Sequence, residues 1–538
     1  MKNELLTGRR ISIVFWCILL AAVLVRCIGF VSVPGGVNQD EAMAGMDAWA
    51  LSKYGTDRYG VFMPVHFTAW RYGQMSVLLS YCMIPFIRLF GFGTFAVRMP
   101  MLLASCGSVA LVYLVGKQVY SRRFGLLAMA MTAINPWHFM QSRWSLDCNL
   151  FPHVFLLAFY FLLLGLEKRK YLYLSMVFFG LTLYCYGVAV YAVIPFLLGY
   201  AVWCLRKRQL RLQEILLCGL IFTLVALPEL LVMMINFWGL PTVETPFFTL
   251  SYFSESIRSN DILFLNFSVN QLIKNLTSLI NTVFLSKPGA IYNALPDFGP
   301  MYLISIPFML FGLVYYRKDL AKEKDMMIRA RKTALWYFFL MGIGVGLVTY
   351  EVNVNRINII FFPMIYFCCR GIVEASAKMK SLRYVTAAAY VVCFELFLVC
   401  YFTDFADQIQ VYFNVNFLSA VKTADEMEEY NRLYITDNAD WQTNWRMTEI
   451  LTQYACRIDA AYYQEKTVIT GGRELLPYSE RYHFVNMETL LTVDPEGLYL
   501  VHRSELDLLP FPYEIICVDE NYIILRGKRI PEKNIVSK

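Results

Sequence analysis

Charged residues are scarce in this chain, at 17% of 538 residues, where soluble domains carry about 25%. That scarcity excludes an ordinary soluble enzyme. Histidine is rarer still, with five in all, and His66, His138 and His153 stand far apart in the sequence. No His/Asp/Glu group therefore has metal-ligand spacing, and no metal or other cofactor is expected to be required, although an external divalent ion remains compatible. None of the 14 cysteines belongs to a CxxC pair of metal spacing, and most lie in apolar runs, where they read as small packing residues. Cys456 and Cys517, in the polar C-terminal part, could pair, but the unpaired reading is preferred. No internal repeat is visible.

Apolar residues are abundant, at 58%, with 16% aromatics. Runs long enough to span a bilayer, which takes about 20 residues per helix, recur from residue 11 to residue 403. The chain thus reads as a polytopic α-helical membrane protein with a transmembrane body over 1–403 and a soluble extracytoplasmic α/β part over 404–538. The first run, "ISIVFWCILLAAVLVRCIGFVSV", contains Arg26 and lacks a small-residue cleavage site, so it is expected to be a retained helix rather than a signal peptide.

Lys and Arg gather in short tracts between the apolar runs, at 2–10, 116–124, 167–170, 206–211, 317–332 and 378–383, and such tracts mark the cytoplasmic side. The formal charge of +7 is accordingly a topology signal and not a nucleic-acid site. Placing every tract inside puts 34–95, 141–149, 234–300, 350–356 and the tail outside. An odd number of crossings must then separate Asp40 from Lys117, yet two apolar runs lie between them, at 75–91 and 96–116. The first is short, carries Arg88 and ends in "FGFG", so it is expected to lie in the outer interface without crossing. About 11 spans result, in a cytoplasmic membrane, with the amino terminus inside and the tail outside.

In the tail, "FLSAVKTADEMEEYNRLYITD" predicts a helix followed by a short strand, and "WQTNWRMTEILTQYACRID" a second helix. "GLYLVHRSEL" and "EIICVDENYIILRGK" predict strands, the last a hairpin around "DEN". Nothing there has catalytic spacing, and an accessory lid or docking module is the preferred reading.

Three outside features stand out. In "NQDEAMAGMDAW" the adjacent acids Asp40 and Glu41 follow Asn38, a pattern that fits both a capped first helical turn and an acid presented at the membrane surface. In "NPWHFMQSRWSLDCNLFPH", Arg143 and Asp147 have the i,i+4 spacing of a helix-end ion pair. If that loop faced the first, Asp40 and Asp147 would converge beside an arginine, a constellation suited to acid/base work on a hydroxyl. In "YEVNVNRINIIFFP", Arg356 is either a snorkelling anchor or an anion site. Arg26, in the outer half of the first span, is costly there and hence a functional candidate. With Arg71 and Lys53 it could gather cations where an anionic head group would sit. The aromatic-, Gly- and Pro-rich loop 234–300 could cover a prenyl groove, and "N-x-S/T" at Asn266 and Asn275 reads as a chance match.

A first span followed at once by "DE", then "LFGFGTFAVR" and "SRWSLD" in that order, resembles the GT-C glycosyltransferases. More narrowly it resembles family 39, which holds protein O-mannosyltransferases and the lipid A aminoarabinose transferase. The resemblance covers about residues 10–200 well and 300–375 loosely, and the tail is not diagnostic. It implies that Asp40 is the catalytic aspartate with Glu41 its partner, that Asp147 and Arg143 are the acid and arginine of the second outside loop, and that 75–91 is juxtamembrane. The aminoarabinose enzyme's Arg-Tyr after "DE" and its Lys-Pro-Pro are missing here, since Met43-Ala44 and "RYGQMS" stand instead. Arg71 and Gln74 are substitutes by position only.

The implied reaction moves a sugar from a polyprenyl-phosphate donor to an acceptor hydroxyl on a glycan, glycolipid or protein at the outer face of the membrane. Asp40 would be the base, the anomeric configuration would invert, Asp147 would orient, and Arg26, Arg143 or Arg356 would hold phosphate. A lipid or glycan transporter without transferase activity is the alternative. It would favour inverted repeats and interrupted helices meeting near the midplane, and an inactive scaffold is a third reading.

Overall fold

The computed structural model describes residues 2–70, 74–254, 268–285, 287, 289–349, 352–466, 469–470, 473–474, 476–490 and 492–528. The membrane body is built from α1 (Lys2–Cys27), α2 (Gln39–Tyr54), α3 (Leu78–Phe90), α4 (Thr94–Val119), α5 (Arg122–Ala133), α6 (Pro136–Gln141), α7 (Asp147–Gly165), α8 (Arg169–Leu181), α9 (Ala189–Arg206) and α10 (Leu212–Trp238). It continues with α11 (Val269–Val283), α12 (Ser305–Lys322), α13 (Met326–Val348), α14 (Val354–Ile357), α15 (Phe361–Lys378) and α16 (Leu382–Phe402).

Seven described helical segments are long and apolar enough to cross a bilayer: α1 from Gly8, α4, α7, α9, α10, the stretch Val354–Lys378 and α16. The chain is a multi-pass membrane protein. The other expected spans fall on α5 and α8, of 12 and 13 residues, and on α12 and α13, whose ends are charged, so helix length alone does not establish about 11 crossings. Helix α3 has 13 residues, about 20 Å at 1.5 Å per residue, against roughly 30 Å of hydrocarbon. It buries Leu79, Ser80, Met83 and Ile87 against its neighbours and exposes Leu89 and Phe90, the pattern of a juxtamembrane helix.

The basic tracts meet at one end of the bundle. Arg331 pairs with Glu167 and reaches the carbonyl of Gln118; Arg169 pairs with Glu214 at 2.6 Å and donates to the carbonyl of Gln209; Arg370 pairs with Asp319. The contacts join tracts that the charge pattern assigns to a common side. Midway along the bundle α12 and α15 touch backbone to backbone: a Cβ on Gly312 would lie 1.8 Å from the Phe367 carbonyl, and one on Gly371 1.9 Å from that of Phe308, so only glycine permits this approach.

Helix α11 exposes Val269, Ile273, Leu276 and Ile280, one apolar stripe at helical spacing that suits an interfacial position. On its other face Asn275 is buried and donates to the carbonyls of Leu347 and Thr349, so this "N-x-S/T" match is a structural residue. Asn266 lies outside the described residues.

The tail begins with α17 (Asp404–Tyr412) and α18 (Val415–Asp425), followed by β1 (Arg432–Thr436), α19 (Trp445–Ala455), β2 (Tyr482–Val485), β3 (Gly497–His502), β4 (Tyr513–Asp519) and β5 (Tyr522–Gly527). Its five-stranded sheet runs β4–β5–β3–β1–β2. Strand β1 is parallel to both neighbours, and the expected hairpin of β4 and β5 is antiparallel. Cys456 and Cys517 are free, as are all the other cysteines. The tail is stitched to the start of α2. Val37 N–H donates to the Phe413 carbonyl at 2.9 Å, and Asn414 Nδ2 to the Val37 carbonyl at 3.0 Å. Gly36, at φ 66°, would set a Cβ 2.1 Å from that Phe413 carbonyl, so a side chain there would break the seam.

Candidate active site

Helix α2 starts where Asn38, in extended conformation, accepts the Asp40 N–H on Oδ1 at 3.1 Å. Both acids therefore occupy the first turn, where the helix dipole favours negative charge. Their side chains then diverge. Glu41 is fully buried and forms an ion pair with Arg98 from the first turns of α4, with Oε1 accepting from Nε at 2.9 Å and Oε2 from Nη2 at 2.8 Å. Its Oε1 also takes the Ser145 N–H at 2.8 Å. Arg98 donates in addition to the carbonyls of Pro34 and Gly36. Glu41 is therefore an internal clamp joining the entry of α2, the start of α4 and the 142–146 segment, and the expected catalytic partnership does not include solvent access.

Asp40 is half-buried and receives the indole N–H of Trp70 on Oδ1 at 2.6 Å. Trp70 is held by burial and by its backbone N–H on the sulfur of Met43, and it lines a cavity of about 470 Å³. The Glu41–Ser145 bond brings the segment leading to Asp147 against the first loop, so the two acids sit on adjoining segments. Asp147 is the first residue of α7, is buried, and accepts the Cys148 N–H on Oδ1 at 2.7 Å. From the third feature, Asn358 donates to the Cys148 carbonyl at 2.7 Å, which fixes the Arg356 segment against the start of α7. Arg356 is half-buried in α14, whose first turn is capped by Asn353.

Arg143 does not form the i,i+4 pair with Asp147, because the chain breaks between α6 and α7. It turns instead into the end of α1, where Nε donates to Val33, Nη1 to Arg26 and Nη2 to Ile28 and Gly29, all backbone carbonyls at 2.6–2.9 Å. The Arg26 carbonyl is an orphan acceptor of the α1 C-terminus, the other three belong to the turn that follows it, and a guanidinium so engaged has little left for a phosphate. Arg26 is also internal. It donates to the carbonyls of Ala22 and Ala133 at 3.1 Å and meets His138 Nδ1 at 2.9 Å. The histidines that look scattered in sequence come together, with the rings of His138 and His153 5.5 Å apart and Ser108 Oγ 2.7 Å from His153 Nδ1. Gln74 is half-buried beside the two-residue ladder that pairs Met75–Ser76 with His66–Phe67. Arg71 lies outside the described residues. Lys53 faces the tail, on Asp459 at 2.7 Å.

Residues that sequence reasoning misses complete the frame. Arg98 stands in the sequence only as the arginine of "LFGFGTFAVR"; its distance from the "DE" hides the pair. The buried Asp47–Arg58 pair at 2.9 Å closes the loop after α2. Burial pushes the Asp47 carboxyl up, to about 7, against the opposing pull of Arg58. His66 meets Glu229 of α10 at 2.7 Å, both buried, and binds the first loop to the bundle.

The family model of dolichyl-phosphate-mannose-protein mannosyltransferases matches residues 75–232, a stretch that takes in Arg98, Arg143 and Asp147 and begins after Asp40. ArnT from Cupriavidus metallidurans superposes with a TM-score of 0.55 at 9% identity, over 96% of this chain and 98% of that one. The same protein bound to undecaprenyl phosphate gives 0.55 at 10% identity, over 95% and 97%. The chain has the GT-C fold. The oligosaccharyltransferase of Archaeoglobus fulgidus superposes at 0.51 with 12% identity, over 83% of this chain, which spans 64% of that protein's length. No curated protein sequence matches. The superposition on ArnT takes in the C-terminal part as well, since it covers 96% of this chain.

Proposed function

We propose that this GT-C protein is a glycosyltransferase that moves a sugar from a polyprenyl-phosphate donor to an acceptor hydroxyl at the outer face of the membrane. The observation that carries the reading is the division of labour between neighbouring acids. Glu41 is locked into an internal ion pair, while Asp40 keeps partial access and is aimed by a tryptophan N–H. A carboxylate oriented by a hydrogen bond on Oδ1, at a helix start, is a positioned proton acceptor, since its two oxygens offer about four lone-pair sites. Asp40 takes the acceptor's hydroxyl proton as that oxygen bonds to the anomeric carbon. The bond from that carbon to the phosphate oxygen breaks, and the polyprenyl phosphate leaves with its electron pair. One displacement with no sugar–enzyme stage inverts the configuration. Asp147 orients the reacting groups, and Arg356 is the arginine we assign to the leaving phosphate, since Arg26 is engaged by Ala22, Ala133 and His138 and Arg143 by the end of α1 and the turn after it. The tail lies on the side of Asp40 through its bonds to Val37.

The test is reconstitution in liposomes with labelled undecaprenyl-phosphate hexoses and pentoses and a membrane extract as acceptor source. Carrier-dependent transfer of label to a non-lipid product, lost in Asp40→Ala, supports the enzyme. Donor movement between leaflets without transfer supports the transporter and overturns it.

A further inference from the structure

The cavity that Trp70 lines does not belong to the membrane body alone. Its walls combine Arg58 and Tyr59 of the first loop, Tyr252 of the large loop 234–300, and Trp445, Glu449 and Tyr463 of the tail. A second cavity, of about 580 Å³, shares Tyr59, Glu449 and Tyr463 with it and continues over the tail to Tyr478, Tyr482 and Phe484. Both volumes lie in the range of ligand sites. The shared wall is a ladder of rings: Tyr59 meets Tyr463 edge-on at 5.5 Å, Tyr463 meets Tyr478 at 4.9 Å, and Tyr478 meets Tyr482 at 5.2 Å. Gln464 Nε2 on the Arg58 carbonyl at 3.1 Å fixes the tail against the loop at this point.

Two features decide what such a groove fits. Trp445 and Tyr59 expose 48% and 41% of their surface although a folded soluble part has every reason to bury large rings, and polar groups alternate with them. Glu449 has the phenol of Tyr478 at 3.2 Å, Arg58 is held by Asp47 and the Thr68 carbonyl, and Arg446 stacks over Trp445 at 5.3 Å. Flat apolar faces interleaved with single hydrogen-bonding groups match a pyranose chain, whose C–H faces pack on rings while its hydroxyls reach the polar groups between them. An acyl chain would leave those polar groups without partners. A peptide read by its backbone would want a strand edge; the cavity at Trp70 is walled by helices and loops, and the groove meets an edge strand only at its far end, at Tyr482 and Phe484 of β2.

We propose that this groove, from Trp70 across Tyr59, Tyr463 and Glu449 to Tyr482, binds an extended saccharide chain as the acceptor and delivers its terminal hydroxyl to Asp40. The proposal rests on the glycosyltransferase reading for what happens at Asp40, but binding is separable from it. The inner end at Trp70 takes the residue that receives the sugar, and the tail holds the units behind it. The C-terminal part thereby selects acceptors by chain length.

The experiment uses full-length Asp40→Asn protein in nanodiscs, which binds without turnover, and measures intrinsic tryptophan fluorescence against glucan and mannan oligosaccharides of one to six units. A threonine- and serine-rich peptide is the competing probe. Saccharide binding that tightens with each added unit, and weakens about tenfold or more in Trp445→Ala and in Tyr463→Ala, supports the groove. Trp445→Phe, which keeps a ring, restores most of the affinity and separates stacking from folding. Binding by the peptide alone, or by no saccharide of any length in protein whose thermal unfolding is intact, overturns it. If oligosaccharides bind but the wild-type protein transfers no sugar, the glycosyltransferase reading fails while the groove stands.

Discussion

Removing Arg98 tests the claim that Glu41 is a clamp and not a second catalytic acid. In Arg98→Ala the Glu41 carboxylate, with no exposed surface, keeps only the Ser145 N–H as donor, and the carbonyls of Pro34 and Gly36 lose theirs. Stranding one member of a buried ion pair costs about 3–5 kcal/mol, and each orphaned acceptor adds about 1 kcal/mol, so the single variant approaches the whole stability of many domains. In Glu41→Gln the amide oxygen still accepts from Ser145 and from Arg98 Nε, but the buried guanidinium loses its counter-charge and its Nη2 meets an amide N–H, so a cost of about 3–5 kcal/mol follows here too. The double variant Glu41→Gln, Arg98→Met buries no charge and is expected to be more stable than Arg98→Ala alone. The assay is thermal unfolding in detergent, with the single variant Arg98→Met added to close the double-mutant cycle, and with transfer measured on whatever remains folded. Glu41→Gln protein that unfolds like wild type but loses transfer more than a hundredfold would refute the clamp and make Glu41 a chemical group.

Trp70→Phe deletes the N–H on Asp40 and keeps a ring; transfer falls about tenfold to a hundredfold while donor affinity holds, and an unchanged rate would show that Asp40 needs no such orientation. Arg143→Lys puts one ammonium where four carbonyls take the guanidinium; Gly29 keeps the Ser32 and Val33 N–H groups and Val33 the Tyr401 hydroxyl, so the loss falls on the Arg26 and Ile28 carbonyls and costs roughly 1–3 kcal/mol, read as a lowered unfolding temperature; unaltered stability with a raised donor KM would instead make it a phosphate ligand. Asp459 joins Lys53 and Tyr54 of α2 to the tail, each at 2.7 Å. Burial pushes its carboxyl up, but the hydrogen bonds from Lys53 and Tyr54 outweigh that and hold it below the usual range. Its contribution is then complete above about pH 4 and fades as pH falls through the lower folded value, about 0.5 kcal/mol for so exposed a pair. The opening of α19, read as hydrogen exchange divided by the intrinsic rate at each pH, should increase on acidification below pH 4 by less in Asp459→Asn than in wild type, and an equal increase in both would exclude Asp459 as the cause.

The membrane body, the non-crossing helix at 78–90, the Asn38 cap and the β4–β5 hairpin are legible in the sequence because each rests on local chemistry: run length, charge parity, a capping side chain, a turn. The site is legible only in part. Asp40 can be named, but its separation in role from Glu41 depends on Arg98, 57 residues on, and on the Ser145 N–H, 104 residues on. The Arg143–Asp147 spacing suggests one helix, and the break at 142–146 turns Arg143 into a cap for α1. The two histidines stay unconnected until α6 and α7 fold together. Helices α5 and α8 are shorter than their apolar runs because turns inside such runs leave no trace in hydropathy. The aromatic ladder is invisible for the same reason as the clamp, since Tyr59 and Tyr463 belong to different parts of the chain.

The central claim is that Asp40 supplies the base, and Asp40→Asn measures it most directly: the side chain keeps its shape, its cap and an oxygen for the Trp70 N–H, and loses its charge and with it the ability to take a proton. In liposomes with a labelled polyprenyl-phosphate sugar and acceptor, transfer should fall about a hundredfold or more while donor binding and unfolding temperature stay at wild-type values. Near-wild-type transfer by folded Asp40→Asn protein would contradict the account.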